Sequence, residues 1–239
     1  GRSLHMASCQ QETSHLVQVF PSKGNHKATA IFLHGAGDSG GGFADWIEAR
    51  CGLSRFRFKF PHIKLLFPTA PLRPYTACGG ELNHIWHDWD DIDKTIKENL
   101  ASIDAGAQQI ISLINEEVKQ GIPMDKIIIG GLSMGGMMAL HLAYRLVPDV
   151  HAVFALSTYV NDKSAVFEAL SSRQQFPPLF MTHGTDDRVI PLKFGQETFE
   201  QLKKLGVRGT FNTYENLGHD MCLQELKDLH EWMNNVIPE

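Results

Sequence analysis

The chain lacks any long basic run, and its 239 residues carry a formal net charge of −5. Both features argue against nucleic acid as a partner. No apolar stretch approaches the roughly 18 residues that a membrane span requires. Cysteine is scarce: Cys9, Cys51, Cys78 and Cys222 are widely spaced and form no Cys-x-x-Cys pair. Neither a zinc site nor a disulfide scaffold is therefore expected, and reduced thiols suit a cytoplasmic protein. Repeats, low-complexity tracts and dividing linkers are absent, as is a charged-then-apolar leader after Met6. Residues 1–5, Gly1-Arg2-Ser3-Leu4-His5, read as a cloning scar, leaving 6–239 as a single domain. Cys9 offers a position for reversible S-acylation, and so for transient membrane association; a plain surface thiol is the alternative. The oligomeric state is not legible.

What is present is a hydrophobic fraction of 43%, enough for a large core. Apolar runs alternate with amphipathic stretches from end to end. The runs predict strands at 15–20, 29–33, 63–67, 126–130, 150–156, 178–182 and 209–214. Between them, Ile103, Ala107, Ile110, Ile111, Ile114 and Val118 recur at helical spacing over 101–120. Leu223, Leu226, Leu229, Trp232, Met233 and Val236 do the same near the C-terminus. This alternation predicts an α/β fold with a mostly parallel central sheet and helices on both faces. Residues 72–97 are the long exception, with weak periodicity, Pro74, Gly79-Gly80 and two tryptophans. They read as a functional connection.

Gly131-Leu132-Ser133-Met134-Gly135 follows the β-branched run Ile127-Ile128-Ile129 and precedes strong helix formers. A serine between glycines on a strand-to-helix turn is the nucleophile-elbow pattern of α/β-hydrolases. The flanking positions, Gly131 and Gly135, must be glycine because a Cβ there would clash. A serine hydroxyl needs a base, and the base needs a carboxylate to fix its tautomer. In this fold both follow the serine, in the order acid then histidine. Of the downstream histidines, His183 ends a predicted strand and His230 falls inside the last helix. His219, in Asn216-Leu217-Gly218-His219-Asp220, occupies the loop where the base is required. The acid belongs in His183-Gly184-Thr185-Asp186-Asp187-Arg188-Val189-Ile190-Pro191, where spacing does not separate Asp186 from Asp187. An oxyanion hole needs two backbone N–H groups: Met134, after the nucleophile, and Ala36, in the glycine-rich His34-Gly35-Ala36-Gly37-Asp38. Nothing in this chemistry calls for a cofactor or a metal. Trp86 and Trp89 either line the acyl pocket or pin their loop to the core.

These segments, with Phe67-Pro68-Thr69-Ala70-Pro71-Leu72-Arg73-Pro74-Tyr75-Thr76 and Gly130-Gly131-Leu132-Ser133-Met134-Gly135-Gly136, resemble the acyl-protein thioesterase and lysophospholipase family of small α/β-hydrolases. The likeness runs from about Ala30 to Pro238. It implies that the acid is the aspartate four residues before Pro191, which is Asp187. It implies a substrate that is an acylated protein, a lipid or a small-molecule ester. Leu72, Ile85, Trp86 and His87 become the candidate acyl-contacting residues. Two positions depart from the family: Met134 stands where Gln is usual, and His87 where Phe is usual. Both lie near the acyl-binding region of the family. Together with Ile85-Trp86-His87-Asp88 they resemble the lysophospholipase-like branch, which implies a preference for short acyl groups. The alternatives are a long-chain depalmitoylating thioesterase or lysophospholipase, and a hydrolase fold kept only for ligand binding or scaffolding.

Overall fold

The computed structural model describes residues 16–239; residues 1–5 and Cys9 lie outside the described residues. Seven strands form one sheet in the order β1-β3-β2-β6-β7-β8-β9. They are β1 Leu16–Val19, β2 Ala28–Leu33, β3 Ile63–Pro68, β6 Ile127–Leu132, β7 Ala152–Leu156, β8 Leu179–Gly184 and β9 Gly209–Tyr214. Within this sheet, among the described residues, only β1 runs antiparallel, against β3, and the other pairings are parallel. A parallel sheet is covered on both faces, so its strands read as continuous apolar runs rather than as alternation. The six residues of β2, β3, β6 and β8 are all buried.

Successive side chains of a strand still divide between the faces. In β2, Ile31 and Leu33 join a core with α2 (Leu100–Lys119), α3 (Met134–His141), α4 (Ala165–Ser171) and α5 (Leu192–Lys204). Ala30 and Phe32 join the opposite core, built with α1 (Gly40–Cys51) and α6 (Leu223–Val236). Helix α2 starts one residue earlier than its apolar pattern suggests, because the Asn99 side chain accepts the Ser102 N–H at 3.1 Å and caps it. Its stripe also departs from expectation at one end. Val118 is exposed, and Glu117 is buried in its place, held by Lys64 Nζ at 2.7 Å and by Thr29 Oγ1 at 2.9 Å.

The long connection expected over 72–97 contains regular structure. Strands β4 (Leu72–Tyr75) and β5 (Glu81–His84) pair as an antiparallel ribbon outside the main sheet. The turn between them passes through Gly79 and Gly80, at φ 66 and 86. Those angles suit glycine and few other residues. The ribbon is short, half exposed and carries Pro74, so it lacks the apolar run by which the other strands declare themselves.

Candidate active site

Because β2, β6, β7, β8 and β9 are parallel, their C-terminal ends share one edge of the sheet. Ser133 follows β6, Ala36 follows β2, Asp187 follows β8 and His219 follows β9. The topology therefore delivers all four to the same rim from distant parts of the chain. This is the place where an open α/β sheet binds ligands.

Ser133 sits between β6 and α3 at φ 55, ψ −120. That is a costly conformation for a residue with a side chain, on the order of 1–3 kcal/mol. It persists because the backbone is held on both sides. The Ser133 N–H donates to Leu156 O at 2.8 Å, and Ser133 O accepts from Met137 N–H at 3.0 Å and from Thr158 Oγ1 at 2.7 Å. The flanking glycines are sterically required: a Cβ on Gly135 would overlap Leu33 O, and one on Gly131 would overlap the Gly135 carbonyl. Ser133 stays partly exposed while its neighbours Leu132 and Met134 are buried.

Strain gathers at this rim. Among the described residues, three non-glycine residues have positive φ: Ser133, Ser157 after β7 at φ 52, and Asn216 in the His219 loop at φ 63. Asparagine tolerates that region, so Asn216 is a sequence signal for the turn that presents His219. Ser157 gave no such signal. Its buried hydroxyl has no hydrogen-bond partner among the described residues.

Asp187 and His219 meet directly. The His219 Nδ1–H donates to Asp187 Oδ2 at 2.8 Å. The other oxygen, Oδ1, accepts the Val189 and Ile190 N–H groups, each at 2.9 Å. Burial alone would raise the Asp187 pKa; the hydrogen bonds from His219 and the Ile190 and Val189 amides outweigh it and hold the carboxyl below its ordinary range. His183 also faces this carboxylate, at 3.4 Å from Oδ2, while its Nε2–H donates to Ile190 O at 2.8 Å. Burial lowers the His183 pKa, so it stays a neutral donor. With Nδ1 of His219 committed to Asp187, Nε2 is the nitrogen left for a nucleophile. Ser133 Oγ itself makes no hydrogen bond to the His219 ring, a bond that in such sites often forms only with substrate in place.

The His219 loop is fixed against the Asp187 loop by backbone contacts. The Asp186 N–H donates to Leu217 O at 2.9 Å, and the Thr185 N–H to Tyr214 O at 3.0 Å. Asp186 itself points outward and faces Arg188 at 3.6 Å.

Ala36 lies in the turn after β2, packed beside Ser133: a Cβ on Gly35 would stand 3.6 Å from the Ser133 Cβ. Its neighbours are anchored from 72–87. The Gly37 N–H donates to His84 O at 2.9 Å, and the Trp86 Nε1–H donates to His34 O at 2.8 Å. His34 is fixed in turn. Its Nε2 accepts the Ala70 N–H at 3.0 Å, so Nδ1 carries the proton and donates to Gly35 O at 2.7 Å. The Ala36 N–H itself has no partner among the described residues. Met134 opens α3, where the first N–H groups of a helix lack intrahelical acceptors.

Of the four candidate acyl-contacting residues, Leu72 is exposed on the ribbon, while Ile85 and Trp86 have no accessible surface. Trp86 therefore pins the loop to the core beneath the β2 turn. His87 is buried beside a cavity of about 30 Å³ also lined by Glu98, Ile103, Met137 and Asn161. Its Nδ1–H donates to Asp88 O at 3.2 Å, and its Nε2 is buried without a partner. Burial pushes the His87 pKa down to about 4. A larger cavity of about 440 Å³ lies between β1, β3 and α1, and none of the site residues lines it.

Comparison with known proteins gives the family. The pattern of the phospholipase/carboxylesterase family matches residues 15–237. The chain is 44% identical to mouse lysophospholipase-like protein 1 over 221 residues, covering 92% of this chain and 91% of the relative. It is 34% identical to acyl-protein thioesterase 1 of Neurospora crassa over 229 residues, covering 92% and 91%. Among solved structures, acyl-protein thioesterase 2 of Zea mays superposes with a TM-score of 0.74 at 27% identity, covering 92% of this chain and 98% of that one. SOBER1 of Arabidopsis thaliana superposes at 0.71 and 26% identity, over 88% and 99%. A strained serine between strand and helix, an aspartate–histidine pair on the same rim and a match over nearly the whole length lead to one assignment: the chain belongs to the phospholipase/carboxylesterase family of α/β-hydrolases.

Proposed function

We propose that this protein is a serine hydrolase that cleaves acyl thioesters or carboxylic esters through an acyl-Ser133 intermediate and favours short acyl groups. The observation that carries the reading is the Ser133 elbow at φ 55 on the same sheet edge as the 2.8 Å Asp187–His219 pair. His219 Nε2 takes the Ser133 proton as Oγ attacks the acyl carbonyl. The tetrahedral oxyanion is received by the Ala36 and Met134 N–H groups. Collapse expels the thiol or alcohol, which leaves with the proton held by His219. A water then loses its proton to the same nitrogen, attacks the acyl-serine, and frees the carboxylic acid and Ser133. Asp187 stays ionised and stabilises the imidazolium. The cycle balances without cofactor or metal. The substrate is an acylated protein, a lipid or a small-molecule ester.

Short-acyl preference is supported by the close packing of the residues that the resemblance places near the acyl group. Met134, Ile85 and Trp86 have no accessible surface, and His87 is 2% exposed. A cytoplasmic setting is supported by Cys51, Cys78 and Cys222, which are free thiols. No described helix is long and apolar enough to cross a membrane.

The test is a rate series on esters from acetyl to palmitoyl, below the micelle threshold, beside an S-palmitoylated peptide. A buried methylene is worth about 0.8 kcal/mol, or up to roughly fourfold per carbon. An open tunnel gives rates that climb steadily with length; a shallow site peaks early and falls beyond about eight carbons as the chain meets packed side chains. A monotonic rise to palmitoyl returns the enzyme to the depalmitoylating reading. Labelling by a fluorophosphonate, lost in Ser133→Ala, separates either from a binding-only fold.

A further inference from the structure

The loop that carries His219 is held from two sides. Asp187 holds the imidazole; the second hold is on Asp220, the next residue along. Arg50 Nη2 donates to both Asp220 oxygens, at 2.9 and 2.8 Å, and Arg50 Nε reaches Oδ1 at 3.2 Å. Trp46 Nε1 donates to the same Oδ1 at 3.0 Å. Arg50 Nε also donates to Met221 O at 2.9 Å, and the Met221 N–H returns to Asp220 Oδ1 at 2.6 Å. Burial would raise the Asp220 pKa, but the bonds from Arg50, Met221 and Trp46 hold it low, so the carboxylate is a permanent anion at neutral pH.

Trp46 and Arg50 are four residues apart and so share one face of α1. The same helix begins at the Ser39 N-cap, whose side chain accepts the Gly42 N–H at 2.9 Å. Immediately before that cap lies the turn with Ala36. Helix α1 is thus a strut: one end carries the loop assigned to the oxyanion, the other grips the loop assigned to the base. Those two loops come from nearly opposite ends of the chain.

We infer that Arg50, Trp46 and Asp220 form a clamp that sets the distance between His219 and the Ala36 loop. They touch no substrate and act through His219, so they are positioning residues. The inference rests on the assignment of His219 as base. The pair is more than a third exposed, and exposed ion pairs contribute little to stability. The bidentate fork nevertheless fixes direction as well as distance. A displacement of about 1 Å in a catalytic group costs on the order of 100-fold in rate. The clamp's effect therefore falls on turnover rather than on folding.

The test uses the full chain and a short-chain chromogenic ester, with kcat, KM and Tm measured for Arg50→Ala, Asp220→Ala, the double variant, and the milder Arg50→Lys. Each alanine variant is expected to lose about 10- to 100-fold in kcat with KM within about twofold. The double variant is expected to fall well short of the product of the two single losses, because both remove the shared Arg50–Asp220 fork. Arg50→Lys keeps the charge but not the fork and falls between. Added guanidinium ion, at millimolar concentration, is expected to restore part of the rate of Arg50→Ala and none of that of Asp220→Ala. The clamp is overturned if kcat stays within twofold of the parent, if the losses are additive, or if they merely follow a fall in Tm that guanidinium does not relieve. Arg50→Lys decides the matter should the alanine variants fail to fold. Ser133→Ala and His219→Ala run alongside: their retaining activity overturns the catalytic assignment and the clamp with it, whereas their inactivity beside unaffected clamp variants overturns the clamp alone.

Discussion

Asp187 and Asp186 are adjacent in the chain and point to opposite environments. Asp187 Oδ2 accepts the His219 Nδ1–H at 2.8 Å with no side-chain exposure, while Asp186 is 58% exposed and 3.6 Å from the Arg188 side chain. Spacing alone could not separate them. What does is the turn at 187–190, in which the Val189 and Ile190 amides close onto Asp187 Oδ1 and rotate that carboxylate toward the sheet.

Asp187→Asn should therefore be far more damaging than Asp186→Asn. An amide at the acid position can present its NH2 to Nδ1 and favour the wrong tautomer, a change that costs about 10⁴ in kcat in a comparable triad. The Asp186 change should leave kcat within about threefold, as surface substitutions usually do. Steady-state ester hydrolysis by both variants checks this, and a greater loss in Asp186→Asn would contradict the geometry.

Ser133→Ala and His219→Ala should each lower kcat on the order of 10⁶-fold, with the double variant little worse than either. Members of a triad act as a unit, so the second deletion removes nothing further. Ser133→Ala should also leave the fold intact, because the site is partly exposed and the change relieves no core contact. Single-turnover acylation alongside thermal melting separates lost chemistry from lost structure. Additive losses would place His219 outside the triad.

Much of this architecture is legible because parallel strands buried on both faces are spelled as continuous apolar runs. Ile127-Ile128-Ile129 announced β6, and the predicted strand at 209–214 matches β9 at Gly209–Tyr214. The elbow was legible from its glycines, which steric overlap makes obligatory. The β4–β5 ribbon was missed because its pairing is exposed and Pro74 suppresses the strand signal, although Gly79-Gly80 marked its turn. Glu117 was missed because periodicity assigns faces and cannot foresee that Lys64, far away in sequence, arrives to pair with it. The role of Trp86 has the same character: composition shows a large apolar side chain, and only the fold brings its N–H to His34 O.

His87 should make the protein acid-sensitive in a way that a single substitution removes. Its folded pKa is about 4, against 6.5 for an ordinary histidine, because burial disfavours the charged ring. Between those values the unfolded chain binds the extra proton and the folded one does not, so stability falls as pH drops from 6.5 toward 4. By pH 5 the loss is about 2 kcal/mol. His87→Phe removes the titration and the unpartnered Nε2, and the adjoining cavity of about 30 Å³ leaves room for the larger ring. Urea midpoints at pH 5 and 7.5 should differ less for the variant than for the parent; an equal pH dependence would exclude His87 as its source.

Glu225 should act with the opposite sign. It is fully buried at the start of α6, accepting the Thr182 hydroxyl at 2.5 Å and the Cys222 N–H at 3.4 Å. Burial, only partly offset by those bonds, raises its pKa from 4.5 to about 7. The folded protein therefore holds a proton that the unfolded chain has released between pH 4.5 and 7. The stability contributed by the neutral carboxyl is present below that window and is lost as pH rises through it. A shift of this size corresponds to about 3 kcal/mol once both states are ionised. Glu225→Gln mimics the protonated acid, keeping an oxygen for the Cys222 amide and an NH2 that the Thr182 hydroxyl can accept. The variant should melt close to the parent at pH 5 and clearly above it at pH 8. Because Glu225 caps the helix that follows the His219 loop, the same variant should keep its ester hydrolysis at pH 8 to a higher temperature. A melting difference that is unchanged between pH 5 and 8 would show that Glu225 is already ionised in the folded protein.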